Sequence, residues 1–387
     1  MNVAARIDAP ELNRVAGDAR ARADEIERAR RMPQDLAGAM ADAGVFRMLV
    51  PACHGGLEVH PREFVDVLRT LARADGATGW IGMIGATTGS LAASVREDWA
   101  ERIWGDDPSV ITCGVTAPLG RARRVDGGYR VDGRWPFGSA SRNARWICGG
   151  ATVVGGDGEP VLDDRGRPEL LLMIFDAEEV RCHDNWHVAG LCGTGSGDIE
   201  VEHAFVPEGR CAPVAGRPHV DTALFRFPLF GLLSLGVAAV SLGIGERALE
   251  ALVDLAGGKR PTGSRRTLAE RAVVQADVAR AEAGLRSARA LIGEAIDTAW
   301  AAASAGERLT TRHRADLRLA AVNATWSAAD AVDRCYHAAG GTAIYTDSPL
   351  QRCFRDVHVS TQHIMVAPPV WELTGRVCLG LEPGGPL

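Results

Sequence analysis

One uncharged stretch limits the folds open to this chain more than any other feature. From Phe227 to Gly245 the sequence reads FPLFGLLSLGVAAVSLGIG, nineteen residues without an ionisable side chain. That is long enough to span a lipid bilayer. The run is nevertheless rich in Gly, Ala and Ser, stands alone, and continues directly into the amphipathic Glu246-Arg247-Ala248-Leu249. A helix apolar on every face and joined to an amphipathic one belongs in the centre of a helical bundle. The expectation is therefore a buried bundle helix and no membrane partner.

The rest of the chain supplies the elements to cover it. The charged N-terminal residues Ile7 to Arg31 carry an Ala/Leu/Ile stripe and no apolar leader segment. Pro33-Gln34-Asp35 opens a second helix that closes at Gly44, with proline in its first turn and glycine past its end. Residues 61 to 74 place Phe64, Val65, Val67, Leu68 and Leu71 on one helical face, and an apolar helix follows Gly76.

Near Pro108 the period changes. A β-branched run from Ser109 to Val115 precedes alternation over Arg123 to Gly138 about Asp126-Gly127-Gly128, a hairpin signal. Further strands are expected at 146–154, 170–175 and 199–205. From about Pro228 the helical period returns: Glu270 to Ser304 and Arg314 to Ala338 are long helices, and Pro349 to Leu379 completes a four-helix bundle. The fold class is mostly α with a central β domain. It divides into an N-terminal α-helical domain (1–107), a middle β domain (108–212) and a C-terminal helical bundle (213–387).

Composition excludes several classes of function. Lys and Arg total 43 against 49 Asp and Glu, interleaved, for a net charge of −6, so no basic face for nucleic acid is expected. Nine scattered cysteines without a C-x-x-C pair fit reduced thiols in a cytoplasm rather than a zinc site or a disulfide frame. His183 and His187 are four apart but lie in a loop, and no metal site is assigned to them.

Five segments, in order around this helix/β/helix arrangement, carry a resemblance. They are Gly55-Gly56, Thr116 to Gly120, Gly133 to Ser141, Gly193 to Asp198, and Gly340-Gly341 with Arg355-Asp356. Together they make the chain resemble the acyl-CoA dehydrogenase superfamily over nearly its whole length. The resemblance implies that fold, with a middle β-barrel, and a flavin held between the β domain and the bundle. It implies that Thr116 and Phe137-Gly138-Ser139 flank the isoalloxazine ring. It implies too that the segment with Gly340 and Gly341 reaches the flavin of a neighbouring subunit in a homotetramer. One of Lys259, Arg260, Arg265 and Arg266 would then neutralise the flavin phosphate.

The dehydrogenases of that superfamily abstract an α-proton with a Glu placed at or beside Ile364, or within Leu232 to Leu235. Neither region of this chain holds an acid. What remains resembles the flavin-dependent monooxygenase branch, two-component enzymes that take reduced FMN or FAD from a separate reductase and use O2. Its members include phenol hydroxylases, sulfur oxidisers and amino-sugar N-oxygenases. The resemblance assigns Ser139 to flavin N5, where a hydroxyl prolongs a C4a-hydroperoxide. It assigns His363 to the reacting face, where an imidazole of ordinary pKa, ~6.5, can take either protonation state. His358 is read as structural. Trp80, Thr88 and Ile364 are expected around the substrate. Thr88 stands where phenol-hydroxylating members have a second His, so a substrate that needs no deprotonation is favoured. The other reading is a divergent dehydrogenase or oxidase acting on an acyl thioester or nitroalkane with an unrecognised base.

Overall fold

Proline and side-chain caps set the N-terminal helices. A computed structural model describes residues 7 to 387 except 215 and 217. The helices are α1 (Ala9–Ala21), α2 (Ala23–Ala29), α3 (Gln34–Asp42), α4 (Pro61–Ala74), α5 (Gly76–Gly89) and the short α6 (Glu97–Ala100). Pro61 starts α4, where no intrahelical partner for its nitrogen is missed, and all five predicted apolar residues of its face are buried. Asp75 caps α5, its carboxylate accepting from Thr78 N and Thr78 Oγ1, each at 2.8 Å. The glycines of α5 serve packing: a Cβ at Gly82, Gly85 or Gly89 would press on Val45, Phe46 or Val50 respectively.

The middle of the chain forms one seven-stranded sheet in the order β5-β6-β2-β1-β3-β4-β7. Its strands are β1 (Thr112–Val125), β2 (Gly128–Trp135), β3 (Trp146–Val154), β4 (Leu170–Asp176), β5 (Arg181–Cys182), β6 (Ile199–Pro207) and β7 (Cys211–Pro213). The two runs read from sequence as separate, 109–115 and 123 onward, are one strand, β1, interrupted by a register shift between Val115 and Gly120. That bulge exposes residues 116 to 119. The predicted turn at Gly127 is present, with φ +75°. The short edge strands β5 and β7 carry no alternation that a sequence reading could detect.

Trp135 fixes the centre of the sheet. It is fully buried, its Nε1 donates to Gly150 O at 2.7 Å, and Phe175 lies 5.8 Å away, centroid to centroid. A Cβ on Gly120, Gly133 or Gly149 would stand 2.5, 2.5 or 2.7 Å from its ring. Three neighbouring strands have therefore given up side chains to admit one indole.

After the four-residue α7 (Ala223–Arg226) the bundle consists of α8 (Leu229–Gly258), α9 (Ala272–Ser304), α10 (Thr311–Ala339), α11 (Pro349–Ser360) and α12 (Pro369–Cys378). The uncharged run lies in α8. Among the described residues this helix alone is long and apolar enough to cross a membrane, and 78% of its most apolar stretch is buried within the protein. Helices α4, α5, α10, α9 and α11 cover it. The last bundle segment is not continuous. Pro368 and Pro369 forbid a helical ladder there, so residues 361 to 368 form a turn between α11 and α12.

Replacing Trp135 by alanine would remove a large buried ring and strand the Gly150 carbonyl. The expected loss is about 3–5 kcal/mol of unfolding free energy, read as a lower denaturant midpoint. Gly133→Ala should also destabilise, by about 1–3 kcal/mol, through overpacking against the ring.

Candidate active site

Two loops of the β domain meet one helix of the N-terminal region. Gly138 N donates to Gly197 O at 3.0 Å and Ala140 N to Thr194 O at 3.2 Å, so segment 137–141 is locked to segment 191–198. Phe137 and Ala140 bracket Ser139 with φ of +66° and +65°, and Leu191 has φ +51°. Side chains rarely adopt this left-handed region, so the loops hold strain of the kind found where a side chain must be aimed. Trp80 of α5 donates its Nε1 to Ser139 Oγ at 3.2 Å. Behind Ser139 lie Ser196 Oγ at 2.6 Å, Thr194 Oγ1 a further 2.7 Å on, and Leu191 O at 2.8 Å from Thr194. The three hydroxyl side chains are all buried.

His363 closes the other side of Trp80, ring edge to ring face, with centroids 5.5 Å apart and planes at 73°. It lies in the 361–368 turn rather than inside a helix. Its Nδ1 accepts from Met365 N at 3.3 Å, which leaves the ring proton on Nε2. The residue as a whole is half-buried, and burial first, and then the Arg318 guanidinium, push the imidazole pKa down to about 4. The expectation that this His takes either charge state near neutrality is thus corrected: it is neutral. Arg318, on α10, is itself buried and donates to Met365 O at 3.3 Å and Pro386 O at 3.5 Å, while its Nε has no partner. Trp326 of the same helix donates to Val366 O at 3.1 Å. Side chains of α10 therefore hold the turn.

Asp356 joins the two halves of the cluster. Its Oδ1 accepts from Leu191 N at 2.6 Å, and the neighbouring Arg355 Nη1 donates to Ala189 O at 2.7 Å. A Cβ at Gly190 would collide with the Arg355 carbonyl, so this loop lies directly on the α11 backbone. The helix that leads to His363 thereby anchors the loop that carries Thr194 and Ser196. Asp356 also lines a polar cavity of about 190 Å³ with Asp75, Arg247 and Arg352, set apart from the Trp80 cluster. Burial, opposed by the Leu191 N–H and reinforced by Asp75, raises its pKa to about 7.

The remaining predicted residues are placed as follows. Thr88 is half-buried on α5, eight residues and about 12 Å of rise beyond Trp80. It donates to Ile84 O at 2.8 Å and makes no recorded contact with the cluster. Phe137 and Ile364, flanking the cluster, are 65% and 76% exposed, and Thr116 is exposed in the β1 bulge. Arg260 and Arg265 project from the exposed connection between α8 and α9. Lys259 at its start donates to Ala339 O at 2.5 Å and to Thr342 Oγ1, bringing that basic connection against Gly340-Gly341. Gly340 has φ +59° and ψ −149°, a conformation essentially reserved for glycine. Among the described residues no hydrogen bond or ring contact joins this second group to Ser139 or His363. Leu232 and Leu235 are buried, and Ser234 donates to its own helix. Outside the site, His183 pairs with Glu200, His187 with Arg30 and His358 with Asp333. Sequence reasoning flagged Gly193–Asp198 and Arg355-Asp356 as segments. It assigned no role to Thr194, Ser196, Asp356 or Arg318.

These residues suit a flavin. Exposed apolar side chains at Phe137 and Ile364 offer cover for a flat ring, and the Ser139 hydroxyl is buried two residues from Phe137. Among the described residues no carboxylate hydrogen-bonds or pairs with Trp80, Ser139, Ser196 or His363.

Known proteins are similar in sequence and fold. The acyl-CoA dehydrogenase N-terminal domain family matches residues 13–97, and the acyl-CoA dehydrogenase C-terminal domain family matches residues 235–368. The chain is 35% identical over 364 residues to indole-3-acetate monooxygenase of Pseudomonas putida, covering 94% of this chain and 91% of that protein. It is 31% identical to the flavin-dependent monooxygenase oxygenase subunit HsaA of Mycobacterium tuberculosis, covering 96% and 95%. The solved structure of XiaF from Streptomyces sp., in complex with FADH2 and glycerol, superposes with a TM-score of 0.90 at 26% identity, covering 97% of each chain.

Titration of Asp356 carries a definite sign. Its folded pKa lies above the unfolded value, so its contribution is complete below about 4 and is lost as pH rises through about 7. His363 acts oppositely, favouring the fold above ~6.5 and losing that contribution as pH falls through about 4. Asp356→Asn keeps an acceptor for Leu191 N and removes only the first effect. The stability of wild type relative to this variant should fall between pH 4 and pH 7 and level off above, measured by thermal unfolding across that range.

Proposed function

Because the chain belongs to the acyl-CoA dehydrogenase family, in its flavin-dependent monooxygenase branch, we propose that it is the oxygenase component of a two-component system. It takes reduced FMN or FAD from a separate reductase and, with O2, hydroxylates or N- or S-oxygenates a small organic substrate. One observation carries this reading over α-proton abstraction. The cluster around Trp80 consists of hydroxyls and a neutral imidazole, and among the described residues no carboxylate pairs with it to serve as a base.

Bound in its reduced form, the flavin supplies two electrons to O2, one oxygen atom entering the substrate and the other leaving as water. Ser139 Oγ would face flavin N5 and hold the proton there. His363, neutral and protonated on Nε2, donates a hydrogen bond to an oxygen or to a substrate heteroatom. Phe137, Gly138 and Thr116 border the ring and, with Ile364, exclude water from it. Arg260 or Arg265 meets the phosphate, and Gly340-Gly341 approaches the cofactor of a second copy. The exposure of Ile344 and Tyr345, each 64%, beside that glycine pair supports assembly, for which we propose a cytoplasmic homotetramer.

Thr88, about 12 Å along α5 from Trp80, is assigned to the outer end of the substrate space rather than to the reacting centre. Its hydrogen is committed to Ile84 O, so it offers lone pairs only and is no base near neutral pH. An electron-rich ring that needs no phenolate fits that environment, as does the substrate named for the Pseudomonas putida relative.

Two variants test the reading. With reduced flavin supplied by a reductase, His363→Ala should lower product formation by about 100-fold while flavin binding persists. Ser139→Ala should divert reduced flavin from product to H2O2. An unchanged ratio of product to H2O2 in Ser139→Ala would remove Ser139 from the site.

A further inference from the structure

Hydrogen directions in the chain of hydroxyls behind Ser139 are fixed at both ends. Leu191 O is a carbonyl that already accepts from Thr194 N at 3.1 Å and Trp186 Nε1 at 3.3 Å, and it can only accept. Its 2.8 Å contact with Thr194 Oγ1 therefore uses the single hydroxyl hydrogen of Thr194. Thr194 has no second hydrogen to give, so its 2.7 Å contact with Ser196 is donated by Ser196. Ser196 is then fully committed, and the 2.6 Å contact with Ser139 is donated by Ser139. At the other end the indole N–H of Trp80, a donor only, occupies one lone pair of Ser139. Ser139 keeps one free lone pair and no free hydrogen. Reversing the relay would set Thr194 Oγ1 and Leu191 O 2.8 Å apart with no hydrogen between them.

We propose that Thr194 and Ser196 select the redox state of the flavin by making Ser139 a hydrogen-bond acceptor. The inference rests on the reading above, that Ser139 faces flavin N5. In reduced flavin N5 bears a hydrogen and pairs with the free lone pair. In oxidised flavin N5 is itself an acceptor, and two lone pairs meet in a buried place. The loop that holds Thr194 and Ser196 is clamped to α11 through Asp356 and Leu191 N. The polarity of the relay is thus part of the fold and needs no charged group. Thr194 and Ser196 act through Ser139 and are positioning residues.

Anaerobic titration of the full-length protein with reduced and with oxidised FMN and FAD tests this, with the ratio of the two dissociation constants as the readout. Wild type should bind reduced flavin more tightly. Thr194→Val is nearly isosteric and frees the Ser196 hydrogen to turn toward Ser139, whose own hydrogen then points outward. It should narrow the ratio by about tenfold, mainly through tighter binding of oxidised flavin. That narrowing corresponds to a fall of ~30 mV in the two-electron midpoint of the bound flavin. Ser196→Ala should narrow the ratio in the same direction, and Thr194→Ser, which restores the hydroxyl, should return it to the wild-type value. If Ser139→Ala weakens reduced flavin while Thr194→Val and Ser196→Ala keep the wild-type ratio, the relay proposal is overturned and the placement of Ser139 stands. If Ser139→Ala leaves both affinities unchanged, or neither redox state binds, the placement fails and the relay proposal fails with it.

Discussion

A helix whose first seventeen residues carry no charge can persist in water only when protein covers every face, and α8 imposes that requirement on its neighbours. Helices α4 and α5 come from before the sheet and α9, α10 and α11 from after it, so burying α8 forces the two helical parts of the chain to share one core. The sheet sits at the side of that core, with its loops facing the place where α5 and the end of α11 converge. Trp80 is contributed from one direction, Ser139 and its hydroxyls from a second, and His363 from a third. The site lies where the three parts must meet because α8 has drawn the outer two together.

Much of this could be read from the residues. The α4 stripe, the Gly127 turn, the β3, β4 and β6 runs and the long bundle helices each declare themselves by a period, a proline or a glycine. Ser139, Trp80 and His363, chosen through resemblance, are in contact or one ring apart. The missing Glu was legible as well, because an absence at a defined place is as visible in sequence as a presence.

Other features were hidden for physical reasons. Strands of two or three residues have no period to detect, and Pro368-Pro369 was passed over inside an otherwise helical segment. The charge state of His363 depends first on its burial and then on Arg318, forty-five positions away and on another helix, so no local pattern could reveal it. Thr194 and Ser196 belong to a small-residue run that looks like any glycine-rich loop. Their role appears only when Leu191 O and Trp80 Nε1 are found at opposite ends of the same file of oxygens. Asp356 lay within a quoted motif, yet its partner is a backbone nitrogen 165 residues away, and backbone groups leave no trace in the alphabet.

The proline-broken turn after α11 has a consequence for how such a protein can change over time. His363 and Ile364 lie in a turn between two helices rather than within either, and the carbonyls of Met365 and Val366 are gripped by Arg318 and Trp326. Substitutions at 363 and 364 therefore disturb no helix register and, with Ile364 largely in solvent, little packing. Here the residues proposed for the chemistry are set apart from those that decide foldability. A lineage can exchange an acid for an imidazole or an aliphatic side chain at these two positions without putting the scaffold at risk.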